Sequence, residues 1–329
     1  MIASLVADGS SGLPRIPIGD WINSIFTWLT DNLSGLFNVI SDIVGGLVNG
    51  LINVLEAPNP IVLAVIFALI GLAVRGWQFA VGALIGLLLV ISMEQWEFAM
   101  QTLALVVVAT VVAIVIAIPL GILAARSNRA SSTLKPLMDL MQTMPAFVWL
   151  VPVVTLFGIG VVPGVVATII FALPPGVRFT ELGIRGVDAE IVEASHAFGA
   201  TPRQTLFGVQ LPLAMPTIMA GVNQVIMLAL SMAVIAGLVG AEGLGGQVTS
   251  AISTLDLGLG FEAGLSVVIL AIFLDRVTSS VGQGHSGGLF RLGALRRKGA
   301  GAVDEELLDT DEEGAASPPP TDLPTSVRA

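Results

Sequence analysis

The chain has 329 residues, 54% hydrophobic and 12% charged, against about 25% charged in an ordinary soluble domain, and its mean hydropathy is +0.91. This excludes a water-soluble globular protein, and the lack of cysteine excludes a disulfide framework or a thiolate metal site. The net charge of −10 describes a tail, since eight of the acids lie between Asp304 and Asp322. The two histidines, His196 and His285, stand far apart, so neither a metal site nor a catalytic constellation is expected.

Residues 1–19 show no basic segment followed by an apolar core and cleavage site, so no removable signal peptide is expected. From Asp20, apolar residues recur at helical spacing as Trp21, Ile22, Ile25, Phe26, Trp28 and Leu29, on to Leu55. Asp20, Asn23, Thr27, Asp31 and further polar residues fill the remainder. Residues 20–56 therefore read as an amphipathic helix, lying in the membrane interface or packed against the protein's own membrane domain. "EAPNP", Glu56 to Pro60, ends it.

Residues 61–276 form the membrane domain. Its apolar runs are helix-length and lack the alternation of a barrel strand, which predicts an all-α polytopic bundle. About seven spans are expected: Ile61–Val74, Phe79–Met93, Gln101–Ala124, Ala146–Gly158, Val161–Ala172, Leu213–Val239 and Gly264–Leu274. Arg75, Arg126, Arg129, Lys135, Arg178, Arg185 and Arg203 fall in loops on one side, together with the tail from Arg276. The opposite loops, Glu94–Glu97 and Glu242–Glu262, carry acids and no bases. The positive-inside rule then places the N-terminus outside and the C-terminus in the cytoplasm. Residues 277–329 read as a disordered, acidic cytoplasmic tail, whose basic part "RLGALRRK" suits anionic lipid and not nucleic acid.

One cytoplasmic loop, about 176–212, contains the polar cassette "EASHAFGATPRQTLFGVQLP". Glu193 to Phe198 continues a helix, and Gly199 supplies a left-handed stop. Thr201, Pro202 and Gln204 fit a capping box opening a second helix toward Leu211. Pro212 marks entry to the next span.

Glu193, Ala194, Ser195 where alanine is usual, Gly199, Val209, Leu211 and Pro212 stand at the spacing of the EAA loop of ABC importer permeases. Longer stretches such as "MDLMQTMPAFVWLVPVVTLFGIG" and "QLPLAMPTIMAGVNQVIMLALSMAVIAGLVGAEGLGGQV" resemble the glycine betaine/L-proline permease branch, over roughly Trp96 to Thr278. The resemblance implies an inner-membrane subunit working as a pair, most simply a homodimer. Its partners would be cytoplasmic ABC ATPase subunits and an extracytoplasmic substrate-binding protein. Glu193, Ala194, Ser195, Gly199, Ala200, Leu211 and Pro212 would form the ATPase-coupling loop. ATP and Mg would be bound by the partner ATPase and no cofactor by this chain, because neither Lys135 nor Lys298 lies in a Walker A sequence.

Fixed charge is almost absent from the spans, which suits a zwitterion and equally many polar solutes. Gln142, Thr143, Asn223, Gln224 and Ser231 are candidate path-lining residues, with helix-to-helix hydrogen bonding as their alternative use. Met144 and Phe147 could face a quaternary ammonium or serve as packing. The expected function is import of glycine betaine, proline or a related compatible solute. Choline, carnitine or another small polar solute is the alternative. A secondary transporter or channel would need mid-membrane ionisable groups or a charged pore ring, and neither is seen.

Overall fold

The computed structural model describes residues 16–282, and every regular element among them is helical. The helices are α1 (Ile18–Glu56), α2 (Pro60–Arg75), α3 (Trp77–Ser92), α4 (Trp96–Arg126), α5 (Asn128–Thr143) and α6 (Ala146–Phe157). They are followed by α7 (Val161–Arg185), α8 (Ala189–Ala197), α9 (Pro202–Thr205), α10 (Leu211–Ala236), α11 (Leu244–Thr254) and α12 (Leu257–Gly282). The readings for residues 1–15 and for most of the acidic tail lie outside the described residues.

The centre is α4, α7 and α10, packed along most of their lengths. Close approach there depends on small residues, because lipid-facing helices gain little from apolar burial against each other and rely on tight packing. A methyl group added at Gly221 would come within 2.5 Å of Phe179 Cβ, and one at Gly121 within 2.5 Å of Thr180 Cβ. The core between them is aliphatic, with Leu105, Val106, Val165 and Val225 essentially buried.

Helix α1 has two halves separated by Leu33, whose φ of −117° and ψ of 15° leave helical geometry. Beyond the break, Val44 and Val48 enter the central core and the Phe37 ring meets Phe157 edge-on at 5.4 Å. Before it, Trp21, Ile22, Ile25 and Trp28 remain exposed. Asn59 caps α2 by accepting from the Ile61 amide, and Pro60 occupies its first turn. Gly76, at φ +96°, turns the chain from α2 into α3. Phe67 and Phe79 close around Phe273 of α12 with centroids at 5.4 and 6.2 Å.

Five helices are long and apolar enough to cross a membrane, and a sixth is counted if α5 and α6, bent by 100°, form one span. The difference from seven arises at α2 and α3. Each has 16 residues, reaching about 24 Å at 1.5 Å per residue, short of a hydrocarbon core of about 30 Å. By length and hydropathy α1 also qualifies.

Several boundaries differ from the sequence reading; α12 runs from Leu257 to Gly282, past both ends of the expected Gly264–Leu274 span and into residues read as tail. Helix α7 runs through the buried Pro174 and Pro175 to Arg185, well past the apolar run, because its charged residues find partners. Arg178 pairs with Asp139, and Glu181 with Arg185 and Ser131. The second helix of the cassette is not separated from the span at Pro212 either. From Pro202 to Val239 the helix is continuous, with a π-helical turn at Leu206–Gln210. Such a turn widens the ladder just where Pro212 cannot donate a backbone hydrogen bond.

Candidate functional site

The two ends of the bundle differ in charge. At one, the Gly160 amide bonds the Val239 carbonyl at 3.0 Å and the Leu244 amide bonds Thr102 Oγ1 at 2.8 Å, which brings together the beginnings of α4, α7 and α11. Glu97 and Glu242 line a cleft of about 550 Å³ there, beside Gln101 and Gln247. At the other end Arg126 and Arg185, at the ends of α4 and α7, line one cleft with Glu193, and Arg129 and Arg203 lie in the first turns of α5 and α9.

The cassette projects from this basic end. Helix α7 stops at Gly186, and Asp188 opens α8 by accepting from the Glu190 amide at 2.9 Å. After α8, Gly199 adopts φ +82°, a region closed to most L-residues. The Gly199 amide donates to the His196 carbonyl at 2.9 Å and the Ala200 amide to Ser195 at 3.1 Å, which satisfies carbonyls left over at the helix end. Both halves of the expected capping box are present. Gln204 Oε1 accepts from the Thr201 amide at 2.8 Å, and Thr201 Oγ1 accepts from the Gln204 amide at 3.4 Å.

Glu193, Ala194, Gly199 and Pro212 are exposed, Ala200 is half-buried, and Leu211 packs toward Ile184, Leu206, Ala214 and Ile218. Ser195 departs from the usual alanine for a visible reason: its hydroxyl shares a 3.0 Å hydrogen bond with that of buried Thr205, tying α8 to α9 across the turn. The sequence reading missed Ile191 and Phe198, exposed by 45% and 93% on this polar unit. Their signal was present: large apolar residues within a short helix already assigned to an aqueous loop. Beneath α8 a cleft of about 500 Å³ is lined by Arg126, Arg185, Val192, Glu193 and Gln210.

The path candidates fall into three places. Gln142, Thr143, Met144 and Phe147 come together at the bend between α5 and α6, with Gln142, Thr143 and Phe147 exposed and Met144 half-buried. The Trp149 indole donates to the Met141 carbonyl at 3.2 Å and pins the bend. Gln224 and Ser231 are exposed on one stripe of α10 together with Met227, whose carbonyl accepts from the Ser231 hydroxyl at 3.0 Å. Asn223 is engaged elsewhere. Its amide donates to Asp275 Oδ1 at 2.8 Å and its carbonyl accepts from Thr278 at 2.9 Å, locking α10 to α12. Among the described residues no group of His, Cys, Asp and Glu is arranged to hold a metal.

The family model for "Binding-protein-dependent transport system inner membrane component" matches residues 117–283. The glycine betaine transport system permease protein OpuAB of Bacillus subtilis (strain 168) is 48% identical over 269 residues, covering 82% of this chain and 95% of that protein. The glycine betaine/proline betaine transport system permease protein ProW of Escherichia coli (strain K12) is 50% identical over 268 residues, covering 82% of this chain and 76% of that protein. A chain from an inward-facing structure of the MetNI methionine ABC transporter superposes with a TM-score of 0.50 at 23% identity, covering 58% of this chain and 94% of that one, and shares the fold. With just over half of its residues in the matched region and two relatives at about half identity over four-fifths of its length, the chain belongs to the family of inner-membrane components of binding-protein-dependent transport systems.

Proposed function

We propose that this permease carries glycine betaine or a closely related compatible solute, and that α8 receives the ATPase. As a member of its family the chain is a transport subunit, and ATP hydrolysis falls to a separate subunit, with a substrate-binding protein as the further partner. The observation that carries the docking reading is α8 itself. It is a short helix held by caps at both ends, fixed to α9 through Ser195 and Thr205, and set at the basic end between two of the most closely packed helices. An exposed Ile191 and Phe198 give it an apolar surface that water alone does not favour. Glu193, Ala194, Ser195, Gly199, Ala200, Leu211 and Pro212 form or support that surface. ATP and Mg reside on the ATPase.

The basic end is the cytoplasmic one, supported by the arginines at the ends of α4 and α7 and the acids at the opposite end. The first half of α1 lies in the outer membrane interface, consistent with exposed Trp21 and Trp28. The permease works with a second copy of itself, and the solute passes beside the Gln142 to Phe147 bend and the exposed Gln224 and Ser231 of α10. The substrate reading rests on the names of the relatives above, and the uncharged stretches of the spans suit a zwitterion. The test is ATP hydrolysis by the reconstituted complex with binding protein and glycine betaine, proline, carnitine or choline in turn. Glycine betaine should stimulate hydrolysis at the lowest concentration. Stimulation by choline or carnitine alone would reassign the substrate.

A further inference from the structure

Arg185 stands where the cassette joins the bundle, and its guanidinium is shared among three helices. Its Nη2 donates to the Ala124 carbonyl in the last turn of α4 at 2.8 Å. Its Nη1 donates to Asn128 Oδ1 at the start of α5 at 3.0 Å, and its Nε lies 3.0 Å from Glu181 Oε1 on its own helix. Glu181 Oε1 also accepts from Ser131 of α5 at 2.7 Å. Ser131 is buried and the Glu181 side chain is only 12% exposed. A guanidinium is suited to this, since its donors lie in one rigid plane and remain charged. The Ala124 carbonyl is one that the end of α4 leaves unpaired, and a cation there also meets the negative end of the helix dipole.

Helix α5 needs such a clamp. Its apolar contacts are concentrated in Met138 and Met141, which pack with Ala117, Leu173 and Val177. Its remaining ties to α7 are polar: Ser131 to Glu181, and Asp139 to Arg178. Its far end carries Gln142 and Thr143 at the bend into α6. Immediately beyond Arg185, Gly186 ends α7 and Asp188 caps α8.

We infer that Arg185, with Glu181, is a positioning residue that joins the ends of α4, α5 and α7 into one block, so that a displacement of α8 is delivered to the Gln142 to Phe147 bend. The joint stays closed throughout the transport cycle. This inference rests on the reading of α8 as the ATPase-docking helix.

The experiment uses the complete reconstituted complex and measures both ATP hydrolysis and glycine betaine uptake. Arg185→Gln should retain the ATPase and hydrolyse ATP within about twofold of wild type, while solute moved per ATP falls about tenfold, the range of an ordinary coupling energy. Because the natural chain has no cysteine, a Ser131→Cys and Glu181→Cys pair can be joined by a short bifunctional thiol reagent. Without the reagent the pair should resemble Arg185→Gln; after cross-linking, uptake per ATP should return to at least about half of wild type. Wild-type uptake per ATP in Arg185→Gln, or arrest of transport by the cross-link, would overturn the inference. Should Arg185→Gln fail to fold, the cysteine pair decides alone. Phe198→Asp separates the two readings: ATPase retained in that variant refutes the docking of α8, while the uptake ratios still judge the clamp.

Discussion

Gly199 offers a perturbation whose size follows from geometry. Its φ is +82°, and no heavy atom lies within 4 Å of where a Cβ would stand. An uncharged substitution there meets no steric neighbour within the permease, so its effect comes from the backbone, whereas a carboxylate also sets a negative charge on the docking surface. An alanine held in the left-handed region costs about 1–2 kcal/mol, whereas asparagine visits it more readily and valine, branched at Cβ, less so. Strain of that size, if relieved only by opening the turn, lowers the ratio of ordered to open α8 unit by roughly 5- to 30-fold at 1.4 kcal/mol per factor of ten. The membrane core does not contain this residue, so thermal unfolding of the bundle should change little. Titrating the ATPase onto permease in nanodiscs should therefore give affinities in the order glycine, asparagine, alanine, valine, with alanine weakened by about 5- to 30-fold. Equal binding by the alanine and glycine forms, or tighter binding by valine than by asparagine, would refute this reasoning.

Other expectations follow from the same structure. Thr201→Ala removes one half of the capping box and should cost about 1 kcal/mol locally, seen as faster amide exchange in residues 203–205 with unchanged exchange in α4. Gly237→Ala would place a methyl 2.2 Å from the Gly245 carbonyl carbon, whereas Gly264 has nothing within 4 Å. Thermal unfolding in detergent should show Gly237→Ala destabilised by about 1–3 kcal/mol or more and Gly264→Ala neutral or slightly stabilised. Asp275→Leu leaves the Asn223 amide without its 2.8 Å acceptor, a loss of about 1–3 kcal/mol. The double variant Asn223→Leu, Asp275→Leu should cost less than the sum of the two single changes, and additivity in that cycle would argue against the lock.

Much of the site was legible because it is encoded locally. The Gly199 stop and the Thr201 to Gln204 capping box depend on residues within one turn of each other, and each forms where the sequence places it. The membrane class and helical architecture were likewise carried by apolar runs. What the sequence hid depends on distant partners. The charges at Arg178, Glu181 and Arg185 argued for a loop, yet they lie on α7 because Asp139, Ser131, Asn128 and the Ala124 carbonyl receive them. Pro212 argued for a break, yet the π-helical turn before it keeps α9 and α10 continuous. Asn223 was grouped with path-lining residues, since nothing near it in sequence announces Asp275 and Thr278. Ile191 and Phe198 were overlooked because the loop was read for its polar residues.

The measurement that tests the central claim most directly is uptake of labelled glycine betaine into vesicles holding this permease with its ATPase and binding protein, compared with Gly199→Asp. Uptake that requires ATP and all three components, and that is lost in a folded Gly199→Asp complex, is the predicted result. Uptake by the permease alone, or undiminished uptake in the variant, would contradict it.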